Sequence, residues 1–595
     1  MAMEYWEIVE AIVAGRGRRL QKYRYFEDFW KAIDEDNRLI FLKAPTGAGK
    51  TEAAITPFLS DILGGQRRWH SLLYVLPTRS LVYNMFRRIC RSAEACLEEN
   101  EKPVKLVISY DHGGYAPGKA YLEGDITVTT YDTLLYTFYG FRSYGHHILL
   151  SIGKLAGSLI VLDEVQLLQD SSWYSLTIMP YHILNLLRYG ATVVVMTATL
   201  PKIFLEETLR TLEYAGQRES YSIIEMDPAV DAAQRGRVRV KLIEDDLADT
   251  AVELVEKCEK PALIIMNTVE RAVSVFRKLK DKGHEAVHLL HSRLIARIRK
   301  HREMIFEGGK LPKELIIVST QVAEAGIDYD FKTLITELAP ADSLIQRIGR
   351  CGRKEDGTAL ISMKSDSAIR VYPKVVIERT SENIDEQILE ESVTNVRAAS
   401  ALIDSVYTME IIEELRRSSR GEIKERVELS KSFAKIFPEV IFSKRSLYRE
   451  EAKSLLRLGM ELPCVLLPDR LYDRIIKLCE KDPKKNMIEV SDPEFRDLPK
   501  ILEENALSLS IRPDENLRIR GIMHRIQDRE FYLQVRVPTL SEEPRFWIMK
   551  REEVDINNLG KELELSDPFI INPEYYEISS DGYHLGLVKP YGENR

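Results

Sequence analysis

Short, continuously apolar runs, each closed by a polar cluster and separated from the next by a helical segment, recur in two series along this 595-residue chain. The first series covers residues 39–42, 71–76, 125–130, 158–162 and 191–196, and the second covers 262–266, 287–290 and 315–319. Runs without polar alternation belong to strands buried on both faces, and such strands form parallel sheets covered by helices. The spacing therefore predicts two tandem α/β lobes with a hinge between about residues 201 and 245. In sheets of this kind ligands collect at the carboxyl ends of the strands, where every one of these polar clusters sits.

The first run leads into Ala44-Pro-Thr-Gly-Ala-Gly-Lys-Thr51 and then a helical Glu52-Ala-Ala-Ile55. Strand, glycine turn and helix together make a phosphate cradle, because amide groups converge on an anion at the helix start and glycine lets the backbone come close. Thr46, Gly47, Ala48, Gly49, Lys50 and Thr51 are the candidate nucleotide-binding residues. Lys50 would reach the outer phosphates and Thr51 would hold Mg²⁺. The general pattern G-x-x-x-x-G-K-[ST] has Ala44 in place of its first glycine, and a plain glycine connector is the alternative.

Asp163 and Glu164 follow a buried run, an unfavourable place for two carboxylates unless a cation compensates them. With a phosphate cradle at the same sheet edge, Asp163 is the candidate Mg²⁺ residue and Glu164 the residue that orients or deprotonates the attacking water. An exposed acidic turn is the alternative. Arg350 and Arg353 in Gln346-Arg-Ile-Gly-Arg-Cys-Gly-Arg353 lie three apart, so both can face one way. Their guanidinium groups suit a transferring γ-phosphoryl, and their place in the second lobe makes catalysis depend on lobe closure. Gln346 joins them as a candidate catalytic residue. Gly326 and Asp328 are candidate nucleotide contacts, Asp328 at the ribose or as a turn cap. Thr197 and Thr199 suit transmission of nucleotide state to the Asp163 turn.

For nucleic acid the candidates are Thr78, Arg79, Thr129 and Thr130 in the first lobe, with Arg87, Arg88 and Arg91 behind them. Asn267, Thr268, Ser292, Arg293, Thr320 and Gln321 are their counterparts in the second. Hydroxyls, amides and scattered basic groups at strand ends track a sugar-phosphate backbone without reading bases. Polar residues also end strands for solubility, which is the alternative for each.

The net charge of −8 argues against a basic coat protein, yet a local basic groove is independent of the total. Six scattered cysteines form no C-x-x-C pair, which points away from a zinc site or a disulfide framework and fits a reducing cytoplasm. No apolar run approaches the roughly 20 residues of a membrane span. Phe26, Phe29, Trp30 and Ile33 are spaced for one helical packing face, and a basic patch lies at Arg16, Arg18, Arg19, Lys22 and Arg24. Residues 370–460 turn helical and charged, 410–426 most clearly. Beyond about 500, short strands appear at 507–511 and 531–537, and Asp581-Gly582 between apolar runs predicts a hairpin.

Taken in order, PTGAGKT, LPTRSLV, TVTTYDTLL, LDEVQ, MTATLP, Asn267-Thr268, STQVAEAGIDYDF and QRIGRCGR resemble the superfamily 2 helicases over about residues 40–355. LDEVQLL, the LHSR string ending at Arg293 and the ending INPEYYEISSDGYHLGLV resemble, within that superfamily, the CRISPR-associated helicase-nucleases of type I interference. Two departures stand out. Glu27 lies where many members carry an adenine-reading glutamine, with Gln21 as the other candidate. There is also no His-Asp dipeptide, so the resemblance implies the split form, a helicase subunit whose HD nuclease is a separate polypeptide.

The resemblance implies two tandem RecA-like parallel-sheet lobes at 1–215 and 216–365, a helical linker region at 366–460 and a smaller α+β C-terminal domain at 461–595. It further implies an ATP- and Mg²⁺-dependent, cytoplasmic motor on single-stranded DNA, 3′ to 5′, working with a crRNA-guided surveillance complex of the Cascade type. A stand-alone DNA-repair or RNA helicase is the alternative, and an ATP-gated scaffold that clamps a nucleoprotein complex is another.

Overall fold

Apolarity without alternation does give buried parallel strands, and strand order decides which polar ends meet. The computed structural model describes residues 4–15, 22–44, 48–99, 104–111, 122–138, 153–165, 168, 178–197, 199–216, 220–226, 236–306, 312–324, 329–353, 355–418, 428, 461–481, 485–490, 495–510, 532–536, 546–551 and 568–587. By internal contacts the chain divides into two units. One comprises residues 1–113, 118–235 and 378–457, and the other 114–117, 236–377 and 458–595.

The first unit holds strands β1 (Leu39–Lys43), β2 (Leu72–Leu76), β3 (Ile108–Asp111), β4 (Ile126–Thr130), β5 (Leu159–Asp163), β6 (Thr192–Thr197) and β7 (Tyr221–Glu225). They pair in the order β3-β4-β2-β5-β6-β1-β7, all parallel. Five of them (β1, β2, β4, β5 and β6) are buried from end to end. Because β6 lies between β1 and β5, the phosphate loop, the Thr197 turn and Asp163 end at one edge of the sheet. Helices α1 (Tyr5–Ala14), α2 (Arg24–Asp34), α3 (Lys50–Leu63), α4 (Arg79–Glu99) and α5 (Tyr131–Phe138) belong to this unit. Phe26, Phe29, Trp30 and Ile33 do form the buried face of α2, with Trp6 of α1 stacked on Phe26 at 5.7 Å.

Helices Glu386–Thr394 and Val396–Val406 are capped by Asp385 and Asn395, whose side chains accept from amides of the first turn. Asp404 accepts from the amide of Lys202, which ties the second of them to helix Lys202–Tyr214 (2.7 Å). The 410–426 stretch is helical as Met409–Ser418, and the rest of it lies outside the described residues.

In the second unit β8 (Val238–Ile243), β9 (Ala262–Ile265), β10 (Val287–Leu290), β11 (Ile316–Ser319), β12 (Thr333–Glu337) and β13 (Gly357–Ser362) pair in the order β10-β11-β9-β12-β13-β8. All five pairings are parallel. A six-stranded mixed sheet follows, made of β14 (Glu461–Leu466), β15 (Met487–Val490), β16 (Ala506–Ser510), β17 (Tyr532–Arg536), β18 (Phe546–Arg551) and β19 (Phe569–Ile571). The hairpin at Asp581-Gly582 is present as β20 (Tyr576–Ile578) and β21 (His584–Leu587), with Gly582 at φ +80°. The architecture is thus two RecA-like parallel-sheet lobes with a helical region and a small C-terminal sheet. Among the described residues no helix is long and apolar enough to cross a membrane.

Candidate functional site

At the end of β1 the chain turns through the phosphate loop into α3. Gly49 stands at φ +87°, and a Cβ there would meet the Phe26 ring at 2.8 Å. Only glycine satisfies both constraints. Helix α2 splints this turn: the Tyr25 hydroxyl donates to the Ala48 carbonyl (2.6 Å) and the Trp30 indole to the Ala53 carbonyl (3.1 Å). Lys50 is buried and its Nζ donates to the Ala44 carbonyl at 2.7 Å. Thr46 and Gly47 lie outside the described residues.

A hydroxyl chain connects the loop to the acidic turn. Thr51 Oγ1 lies 3.2 Å from the Tyr74 hydroxyl, which donates to Asp163 Oδ2 at 2.6 Å. Tyr74, inside β2, is the functional residue the sequence reading missed. Its signal was a lone hydroxyl in the otherwise aliphatic Leu72-Leu-Tyr-Val-Leu76, since a buried phenol needs a partner. Asp163 Oδ1 is buried with no hydrogen-bond partner, an acceptor position suited to a cation. Burial, then the neighbouring Glu164, push the Asp163 carboxyl up to about 6, against the opposing pull of Lys50, Tyr74 and Arg88. Glu164 adopts φ +53°, and its amide donates to the Met196 carbonyl at 3.0 Å, which joins the acidic turn to the end of β6. Thr197 Oγ1 accepts from the amide of Thr199 (3.0 Å). Asp163 and Thr51 therefore fit as the residues that would hold Mg²⁺.

Tyr74→Phe removes the bridge and leaves the packing. The Mg²⁺ concentration for half-maximal ATPase is expected to rise by about tenfold, as for other groups that orient a metal ligand. A magnesium titration checks this, and an unchanged midpoint would remove the role.

The remaining first-lobe candidates are mixed. Thr78 is exposed after β2, and Arg79 is the first residue of α4. Thr129 and Thr130 are buried, with Thr130 capping α5 through the Thr133 amide (3.2 Å). Arg88 Nη2 donates to both oxygens of the buried Glu52 carboxylate of α3, at 2.6 and 2.8 Å. Glu27, the residue at the adenine-reading position, accepts from the Trp6 indole (3.1 Å), and Gln21 lies outside the described residues.

In the second lobe one buried guanidinium organises the strand ends. Arg347, on helix Ala341–Ile348, is fully buried and donates to Glu324 Oε1 (2.7 Å), Thr336 Oγ1 (2.9 Å), the Glu337 carbonyl (3.1 Å), Asn267 Oδ1 (3.1 Å) and the Tyr372 hydroxyl (3.0 Å). Gln321 donates to the Asn267 carbonyl (2.9 Å), and Thr320 is buried beside it. Arg350 donates to the Glu324 carbonyl, and Arg353 Nε donates to the Gly349 carbonyl (2.8 Å). Gln346 is buried, with Nε2 lacking a partner. Asn267, Gln321, Glu324 and Arg350 are thereby joined through one network. Thr268 caps helix Val269–Asp281 by accepting from the Arg271 amide (3.3 Å). Arg293 Nη1 donates to Glu270 at 2.5 Å, and Ser292 is half-buried beside it. Gly326 and Asp328 lie outside the described residues. Arg347, Glu324 and Tyr372 had no role in the sequence reading.

Residues 25–208 match the family model for DEAD/DEAH box helicases, and 258–356 match that for the C-terminal part of the CRISPR-associated nuclease/helicase Cas3. The CRISPR-associated helicase Cas3 of Thermoproteus tenax is 30% identical over 398 residues, 65% of this chain and 66% of that protein. The chain belongs to the superfamily 2 helicases. Among solved structures, this helicase shares its fold with T. fusca Cas3 (TM-score 0.61, 18% identity, covering 96% of this chain and 69% of that one). It also matches a chain in a structure of a CRISPR RNA-guided surveillance complex, pre-nicking (TM-score 0.55, 17% identity, 94% and 68%). The helicase spans 66% of the length of the first curated relative and 53% of a second curated Cas3.

Proposed function

We propose that this helicase is an ATP- and Mg²⁺-dependent translocase on single-stranded DNA that acts in type I CRISPR interference. In this reading a crRNA-guided surveillance complex recruits it, and it feeds the displaced strand to an HD nuclease on a separate polypeptide. The observation that carries the reading is the Thr51–Tyr74–Asp163 chain beside Lys50, in a sequence 30% identical to a CRISPR-associated helicase.

Mg²⁺, when bound, supplies Lewis acidity at the phosphoryl oxygens. Lys50 neutralises the outer phosphates and Thr51 and Asp163 hold the metal. Glu164 orients the attacking water and takes its proton. Arg350 and Arg353 stabilise charge on the transferring γ-phosphoryl, and Gln346 assists them. Gly326 and Asp328 contact the nucleotide. Thr78, Arg79, Ser292 and Arg293 contact the sugar-phosphate track. Asn267, Thr320 and Gln321 carry its occupancy to Arg350 through Arg347 and Glu324. Domain limits near 215, 365 and 460 accompany this assignment.

Steady-state ATPase with no nucleic acid, with oligo-dT and with a matched RNA tests the reading. Stimulation by DNA of at least about tenfold is expected. No stimulation by either polymer would sink the motor and leave an ATP-gated clamp, and preferential stimulation by RNA would favour an RNA helicase.

A further inference from the structure

The β20–β21 hairpin packs on the second lobe, and several of its contacts fall on the segment that leaves β10 through His291-Ser-Arg293. Both strands of the hairpin and the turn between them contribute. The Leu289 amide donates to the Tyr583 hydroxyl (3.0 Å), the Leu587 amide to the Arg293 carbonyl (3.2 Å), and the Ile295 amide to the Tyr576 hydroxyl (3.4 Å). His291 Nε2 lies 3.0 Å from the Leu585 carbonyl. Burial, reinforced by Arg293, pushes the His291 imidazole down to about 3, so it is neutral and Nε2 carries the hydrogen for that bond.

Arg302, on helix Ala296–Glu303, bridges the two parts. It donates to the Leu289 carbonyl at 2.7 Å and to the His584 carbonyl at 2.6 Å, and its guanidinium lies 4.0 Å from the Tyr583 ring centroid. The same ring stacks on Phe276 with centroids 4.8 Å apart, and Leu585 enters the apolar core of the lobe. Gly586 makes the approach possible. It stands at φ +90°, and a Cβ there would meet the Arg293 carbonyl oxygen and His291 Cε1, each at 2.7 Å.

The backbone groups of this segment that these hairpin bonds engage are the Arg293 carbonyl and the Leu289 and Ile295 amides on either side of Ser292-Arg293. From the other side, Glu270 at the start of helix Val269–Asp281 holds the Arg293 guanidinium. Arg293 is thus gripped at its main chain by one element and at its side chain by another. Loops that track a phosphate backbone bind well only when their donors are held in place before the ligand arrives.

We propose that the Tyr576–Leu587 hairpin is a positioning element of the nucleic-acid track, holding Ser292 and Arg293 in register for a strand phosphate. The inference rests on the reading of those two residues as strand contacts. The hairpin itself touches no nucleic acid. Its contribution is to keep the His291–Arg293 turn from relaxing between strand-binding events.

Gly586→Val, in the full chain, tests this. The variant adds a branched side chain where the backbone is left-handed and the gap is closed. Its expected effect is a rise of about tenfold in the oligo-dT concentration needed for half-maximal ATPase, with affinity for a fluorescent ATP analogue unchanged. Amide hydrogen exchange at 289–295 should quicken in parallel. Tyr583→Phe, which removes one hydroxyl and keeps both ring contacts, should move both readouts in the same direction by about threefold. It stands in if the valine variant does not fold.

Faster exchange at 289–295 with oligo-dT affinity within twofold of wild type would overturn the proposal, leaving the hairpin as packing only. A wild-type chain that binds no oligo-dT at all would remove the strand reading and this inference together. The two failures are therefore distinguishable.

Discussion

Asp163→Asn is expected to lower DNA-stimulated ATP hydrolysis by roughly 10²- to 10³-fold, the scale of losing a metal-borne electrostatic contribution. It should also raise the melting temperature of the nucleotide-free protein at pH 7.5. The two outcomes share one cause. Burial and Glu164 hold the Asp163 carboxyl up to about 6, so the folded chain binds its proton more tightly than the unfolded chain does. Stability from this group is therefore full below about pH 4 and is lost as pH climbs through 6. At neutral pH the ionised side chain costs the fold on the order of 2–3 kcal/mol, which an uncharged amide of the same shape does not. Melting curves at pH 5 and 7.5 check the sign: the gap between wild type and variant should be larger at pH 7.5. An equal gap at both values would show that Asp163 ionises without strain.

Arg347→Ala should be the most destabilising single change in the second lobe. Removing the guanidinium leaves the Glu324 carboxylate, 4% exposed, without its partner, and an orphaned buried charge costs about 3–5 kcal/mol. For a lobe of this size that corresponds to a drop of about 10 °C in melting temperature. Stability and signalling can be separated by the double variant Glu324→Gln with Arg347→Met. Removing both charges together should recover most of the melting temperature, because apolar or neutral replacements of a buried pair are tolerated. Stimulation by oligo-dT should stay lost, since Asn267, Gln321 and Tyr372 no longer share an anchor with the Glu324 segment that holds Arg350. Full recovery of both would show that Arg347 serves the fold alone.

Most strands buried on both faces were legible because nothing interrupts their apolar runs, while β4, Ile-Thr-Val-Thr-Thr, was legible from its β-branched composition. β1, β2, β4, β5, β6, β9, β10 and β11 fall where the spacing places them, within one or two residues. β7 was not legible: it is an edge strand with alternating exposure, and Tyr221 and Ile223 face out. β12 was missed for a different reason. Its Thr336 and Glu337 read as polar, yet both are buried because Arg347 and Arg271 reach them from helices outside the strand. No linear pattern pairs residue 337 with 271.

The phosphate loop and the acidic turn could be found from local residue types, since each needs only its own neighbours to make chemical sense. The hydroxyl that connects them could not. Tyr74 acquires its role from strand order, which places β2 beside β5 and brings its side chain between Thr51 and Asp163. The strand-end polar groups show the opposite limit. Thr130 and Thr268 had the right chemistry for a phosphate track, and in the fold both cap helices.

The hairpin contact has a further consequence for synthesis. Tyr583 reaches Leu289 across 294 positions of chain. At about 5–20 residues per second, a ribosome needs roughly 15–60 s to cover that interval. For most of that time, once β13 has been made at Ser362, the parallel sheet of the second lobe is translated while the His291–Arg293 turn still lacks its cover. The nascent lobe is therefore obliged to wait, with Phe276 and the turn open to solvent and to holdase chaperones, until the hairpin emerges and closes over them.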